Sequence, residues 1–217
     1  MKDRDRIKYY TKSEERLNIV SHAIGLVLSV FGLILLIVKA ASLSKTALTI
    51  SFWIFGSSMI LLYSASTLYH STRERKLRYQ LNILDHAAIY ILIAGTYTPF
   101  SLVTLQGTTG WIIFGVIWAL ALAGVVLKLF YTGRFPRLST IMYVAMGWII
   151  VFAVKPLFDR LSVHGMGWLF AGGVSYTVGA LIFSLDKLKY NHAIFHFFVL
   201  VGTFCHFIAI YYHVLPY

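Results

Sequence analysis

The sequence predicts an all-α integral membrane protein, a bundle of seven transmembrane helices with the amino terminus in the cytoplasm and the carboxyl terminus outside. Three observations carry this. Hydrophobic residues make up 59% of the 217 and charged residues only 12%, whereas soluble chains run near about 25% charged. Seven apolar segments follow one another, each of about 20 residues and so long enough to cross a hydrocarbon core of about 30 Å as a helix. The cations gather in alternate connections. Mean hydropathy is +0.75. This arithmetic excludes a soluble domain and a disordered chain, and a single cysteine, Cys205, excludes an internal disulfide scaffold. A net charge of +11 on a soluble chain would suggest nucleic acid; in so apolar a chain no nucleic-acid partner is expected, and the charge belongs against a bilayer.

The segments run over 20–38, 50–70, 84–103, 111–131, 138–157, 166–185 and 191–213. Their mixed Leu, Ile, Ala, Gly and aromatic content lacks the alternation of barrel strands and reads as helix. The first has a basic stretch before it but full transmembrane length and no small-residue cleavage site after Lys39, so it is expected to be a retained helix rather than a signal peptide. In the fourth, Gly115, Ala119 and Ala123 fall four apart, a spacing that lets helices approach closely in lipid. The fifth is the least regular, because Lys155-Pro156 interrupts its end. Trp111, Tyr131 and Tyr211 read as interfacial anchors. Residues 1–19 form a basic cytoplasmic segment and 20–217 a single seven-helix domain, since the short connections leave no room for another.

Orientation follows from the cations. Lys2, Arg4, Arg6, Lys8, Lys12 and Arg16 precede the first helix; Arg73, Arg75, Lys76 and Arg78 follow the second; Lys128, at the end of the fourth, is counted with Arg134 and Arg137 in the loop after it; Lys187 and Lys189 follow the sixth. Those fifteen of the 19 cations lie on one side, against Lys39, Lys45, Lys155 and Arg160 on the other. The first side is read as cytoplasmic, in a bacterial plasma membrane.

Ionisable groups are costly within a span, so each one there is a candidate. His70 ends the second span, Asp85 opens the third, and His192 and His196 open the seventh, all in one leaflet. His192 and His196 form H-x-x-x-H, which puts both rings on one helix face. With His70 they make three imidazoles and leave a fourth position open, the pattern of a catalytic zinc. Ser66 lies one turn before His70, its hydroxyl near the ion or a substrate. Asp85 has three candidate roles: orienting water, accepting an imidazole proton, or acting as general base. The bland alternative is that these histidines are interfacial, satisfied by headgroups and water.

Glu15, Asn18 and His22 fall at i, i+3 and i+7 at the start of the first helix. This stripe is either a polar helix start, with Ser13 as N-cap and Glu14 and Glu15 favouring the dipole, or the closure of the same polar cavity. His206, about 15 Å beyond His196 along the axis, is expected to be packed and hydrogen-bonded rather than a ligand. His86 faces about 100° from Asp85 and stays outside the ligand set, and His164 and His213 carry no catalytic expectation.

Three motifs stand in order: E-x-x-N-x-x-x-H as Glu15-Asn18-His22, S-x-x-x-H as Ser66-His70, and H-x-x-x-H as His192-His196, with the Asp85 segment after a short basic loop. Together they resemble the hemolysin III family, the bacterial branch of the progestin and adiponectin receptor family, grouped with alkaline ceramidases among membrane hydrolases. The resemblance covers the chain from Glu14 to the last helix. It implies a seven-helix bundle with Zn2+ held by His70, His192 and His196 in the cytoplasmic leaflet, with Asp85 beside the zinc-bound water and Ser66 as a polar partner. The family name further implies pore formation and lysis of red cells.

Three functions are therefore expected to compete. One is a zinc-dependent intramembrane hydrolase of a lipid amide or ester, its proton handled by Asp85 and its oxyanion helped by Ser66. Another is a pore, which in a bundle this small requires oligomers. The third is a sensor with structural zinc, marked by a closed four-ligand sphere. Membrane lipids are the expected partners in each.

Overall fold

The computed structural model describes residues 8–132 and 134–215. Lys2, Arg4 and Arg6 of the basic tail and the last two residues, Pro216 and Tyr217, lie outside that description. Among the described residues the chain is helical without a strand: α1 Lys12–Leu43, α2 Thr46–Ser71, α3 Arg75–Pro99 continued by a π-helical turn Phe100–Leu105, α4 Gly107–Tyr131, α5 Pro136–Gly147 leading through a 3-10 turn Ile149–Ala153 into α6 Val154–Phe158, α7 Val163–Phe183 and α8 Asn191–His213. Taking α5 and α6 as one span, seven are long and apolar enough to cross a membrane. They match the seven expected segments but extend past several of the apolar cores, because capping lets a helix run on where the sequence has turned polar.

The caps are local. Thr11, not Ser13, caps α1, its hydroxyl accepting from the Glu14 N–H at 3.3 Å; Ser13 instead shares hydroxyl hydrogen bonds with Thr11 and Tyr190. Glu74 caps α3, accepting from Lys76 and Leu77 N–H at 2.8 and 2.7 Å. Sequence neighbours pack side by side, α5 meets α7, and α8 returns to α1 to close a ring. The span that contains α3 is the most buried.

Outward faces carry apolar side chains such as Phe31, Phe130, Phe152 and Leu181, as lipid requires. Close approach comes from small residues. The buried stripe of α1 reads Glu14, Asn18, His22, Gly25, Ser29, Gly32, Leu36, Ala40; a Cβ at Gly25 would lie 2.6 Å from the Tyr63 ring. This stripe divides the bundle. Its polar half lies at the end where the chain enters, and beyond it Leu36, Leu48, Phe52, Phe55, Phe100 and Ile210, all within 2% of full burial, fill the opposite end.

Two breaks interrupt the spans, each repaired because lipid offers no water to free backbone groups. Pro99 has no N–H to donate, and the chain answers with the π turn, where Gln106 N–H reaches the Ser101 carbonyl; Arg160 then donates to the Leu105 carbonyl at 2.6 Å. The irregular fifth span breaks earlier than Lys155-Pro156 suggests, at Gly147-Trp148. There the Tyr97 hydroxyl enters the gap, lying 2.9 and 2.8 Å from the Met146 and Gly147 carbonyls to which it donates and accepting from Ile150 N–H at 2.9 Å. Tyr97→Phe would strand those groups at a cost of about 1–3 kcal/mol. It is expected to lower the melting temperature of the detergent-solubilised protein by several degrees while leaving metal content unchanged; an unchanged melting curve would show that the break needs no support.

Candidate metal centre

The centre is built where α1 and α8 begin and α2 ends. His70 stands on the last turn of α2. His192 and His196 open α8, which starts sharply from Tyr190 in the left-handed conformation; Asn191 steadies that start by donating to the Phe183 and Leu185 carbonyls at 3.0 and 3.3 Å. One ring nitrogen from each of His70, His192 and His196 lies within 4.8 Å of the others, and all three side chains are buried. Nε2 of His70 and Nε2 of His192 are 3.1 Å apart. The rings meet at 54°, 75° and 56° rather than stacking, so their nitrogens converge on one point.

The surrounding groups orient them. The Glu15 carboxylate accepts from His70 Nδ1–H at 2.6 Å, and that hydrogen bond leaves the Nε2 lone pair facing the other rings. The other Glu15 oxygen pairs with Arg78, which also donates to the Tyr69 and Thr72 carbonyls at the end of α2. Asn18 approaches His70 Nδ1 at 3.4 Å. Ser21 gives its proton to the Asn18 carbonyl at 3.1 Å and faces His196 Nδ1 at 3.4 Å. His22 stacks on His196, ring centroids 3.5 Å apart at 9°, and meets Tyr63 edge-on. The Glu15–Asn18–His22 stripe therefore lies against the histidines, and the capping expected of its neighbour Ser13 falls to Thr11. From the segment before α1, Tyr10 stacks on His192 at 4.7 Å. Burial pushes its hydroxyl well above the usual phenol value, so it stays neutral.

The donor set fits a cation. The 3.1 Å between Nε2 of His70 and Nε2 of His192 is close to the spacing of two imidazole ligands each about 2.0–2.1 Å from one ion. Buried atoms of His192, His22, Asn18 and Ser66 find no hydrogen-bond partner among the described residues, as in a site that expects a further occupant. Three neutral imidazoles suit zinc, copper, iron or nickel better than magnesium or calcium.

Below the histidines opens a cavity of about 380 Å³, its wall shared by His192, His196, Asp85, His86, Tyr143 and Lys128. Asp85 is buried, not one of the converging donors, and its Oδ2 lies 3.7 Å from His86 Nδ1. His86 donates instead to the Asn82 carbonyl at 2.8 Å. Ser66 is buried one turn from His70 and does not line the cavity. His206 bonds the Leu169 carbonyl at 3.1 Å, as expected, and also lines the cavity.

Two residues read from the sequence as loop cations are corrected. Arg78 is 3% and Lys128 5% exposed, both inside helices. Each continues a buried helical stripe, Arg78 with Asn82 and Asp85, and Lys128 with Ile117, Ala121 and Gly124; that periodicity is the signal that marks them. Glu15→Gln keeps the shape but loses the charge that holds His70 Nδ1–H, and is expected to weaken metal binding by about 10–100-fold, read by competition with a chromogenic chelator. Affinity equal to the wild type would remove Glu15 from the site.

Residues 10–207 match the family model described as Haemolysin-III related. The chain is 47% identical to Hemolysin-3 of Bacillus cereus, covering 94% of this chain and 93% of that protein. It is also 47% identical to the Hemolysin-3 homolog of Bacillus subtilis, over 89% and 91%. The human Monocyte to macrophage differentiation factor is 26% identical over 74% of this chain and 69% of its own length. With its seven spans and a family match over most of its length, the chain is a multi-pass bacterial membrane protein that belongs to the hemolysin III family.

Proposed function

We propose that this protein is a zinc-dependent intramembrane hydrolase that cleaves an amide or ester bond of a lipid. The observation that carries the reading is the convergence of three buried imidazoles, two of which, His192 and His196, line the polar end of a cavity otherwise walled by Leu62, Ile89, Leu92, Ile93 and Val199. A carbonyl at the histidines and an acyl chain below would both be accommodated.

His70, His192 and His196 would hold the ion, which when bound supplies Lewis acidity and renders water nucleophilic near neutral pH. The remaining work falls to the chain. Glu15 keeps His70 in the tautomer that offers Nε2. Asp85, in the cavity wall, takes a proton on its carboxylate and returns it to the leaving amine or alcohol. Ser66 supplies an unpartnered hydroxyl one turn from His70. Tyr10 and Lys8 line the cavity, and Tyr10, stacked on His192, would keep bulk water from the polar end. Access for a lipid is favoured between α5 and α7, where packing is thin and Trp148 bridges by donating to Thr177 at 3.0 Å.

A pore through one copy is disfavoured by the apolar side chains that fill the opposite half of the bundle. We also place the metal end in the cytoplasmic leaflet: Arg73, Arg75, Lys76, Lys187 and Lys189 are exposed at that end, whereas Lys39 and Arg160 at the other are tied to backbone carbonyls.

Purified protein is expected to carry one zinc per chain and to release fatty acid from ceramide-like or ester lipids. His70→Ala should lose both; Asp85→Asn should keep the metal and lose about 10²-fold or more in turnover. Full zinc with no turnover across a broad lipid panel, and His70→Ala indistinguishable from wild type, would sink the reading. For orientation, single cysteines at Arg73 and Ser44 in a Cys205→Ala background should react with an impermeant maleimide from inside and outside respectively; the reverse pattern would invert the topology.

A further inference from the structure

α4 is apolar along its length except for one charge, Lys128, in its last turn. The helix does not turn that charge outward. Its buried stripe brings Gly124 against the Tyr90 ring, where a Cβ would lie 2.4 Å away, and this close approach to α3 carries Lys128 to the cavity wall. The side chain is 5% exposed. Its ammonium sits over the Tyr143 ring, 5.9 Å from the centroid. Asp85 lines the same cavity, but no ion pair or side-chain hydrogen bond joins Lys128 to any of the described residues. Asp85 itself lies nearest to His86. An ammonium enclosed in a membrane protein without a direct counter-ion is costly, and the open space beside it is the cavity.

We propose that Lys128 is an anion-binding subsite of the cavity, which takes the phosphate or carboxylate of an amphiphile whose acyl chain lies along the apolar wall. The subsite rests on reading the cavity as a lipid site, and it narrows the substrate class from neutral lipids to those with an anionic group near the cleaved bond. Lys8 and Arg137 also line the cavity and add positive charge, but both are exposed and Arg137 faces Asp186 at 3.9 Å, so Lys128 is the lining cation that is buried.

The test is equilibrium binding to metal-loaded protein in micelles, with two pairs of probes matched in chain: oleoyl lysophosphatidic acid against monoolein, and oleate against oleyl alcohol. Wild type should prefer the anionic member of at least one pair by about tenfold, as expected for a charge-assisted contact away from water. Lys128→Met should abolish the preference while monoolein binding stays within about twofold of wild type, which also shows that the variant is folded; Lys128→Arg should retain most of it. Preference in the phosphate pair points to a lipid headgroup, and in the carboxylate pair to a fatty-acid end; either supports the subsite. No preference in wild type, preference surviving in Lys128→Met, or equal weakening of both members would overturn it, the last because Lys128 would then serve only to balance Asp85. Binding with the stated preference but no hydrolysis would defeat the hydrolase reading and leave the subsite standing.

Discussion

A single carboxylate ties the polar half of this bundle together. Glu15 lies at the start of α1, holds the His70 imidazole on one oxygen and the Arg78 guanidinium on the other, and so links α1, α2 and α3 at the point where α8 brings its two histidines. Removing any partner would leave a buried charge or an imidazole free to rotate, both expensive away from water. The arrangement also helps explain why Arg78 is tolerated inside: its Nη1 donates to the Tyr69 and Thr72 carbonyls at the end of α2, which a helix terminus cannot satisfy for itself. One ion pair thus serves a helix end and a candidate metal ligand.

The bundle divides its labour along the membrane normal. One half is packed with Leu36, Phe52, Phe55, Phe100 and Ile210, all buried. The other holds the histidines, the cavity and the buried charges. Glycines allow this within narrow helices: Gly25 admits Tyr63, Gly124 admits Tyr90, and Gly172 lies where a Cβ would be 2.2 Å from His206. Rings fill the spaces that side chains would occupy, and the polar ends of Tyr97 and Trp148 finish the backbone and helix contacts that the broken fifth span leaves open.

Much of this was legible in the sequence. The seven spans follow from hydropathy, and the pairing of His192 with His196 follows from a spacing of four. The meeting of those two with His70 follows once the spans alternate in direction. The Glu15–Asn18–His22 stripe was visible as a stripe, but whether it capped a helix or faced the histidines depended on which way α1 turned. Lys128 and Arg78 were misread because charge near a span end ordinarily means a loop; only their register with buried residues on the same helix says otherwise.

By itself, then, the sequence determined the number of spans, the end of the bundle at which the histidines meet, and the helical spacing of two of them, because hydropathy and a 3.6-residue period act locally and survive without knowledge of neighbours. The tertiary structure decided the rest. Which carboxylate orients His70, where Arg78 and Lys128 point, and what closes the break in the fifth span are contacts between residues 50 or more positions apart for the most part, as with Glu15 and His70 or Tyr97 and Gly147. No local period encodes them; they exist because small residues let particular helices approach, and because lipid leaves polar groups no partner but one another.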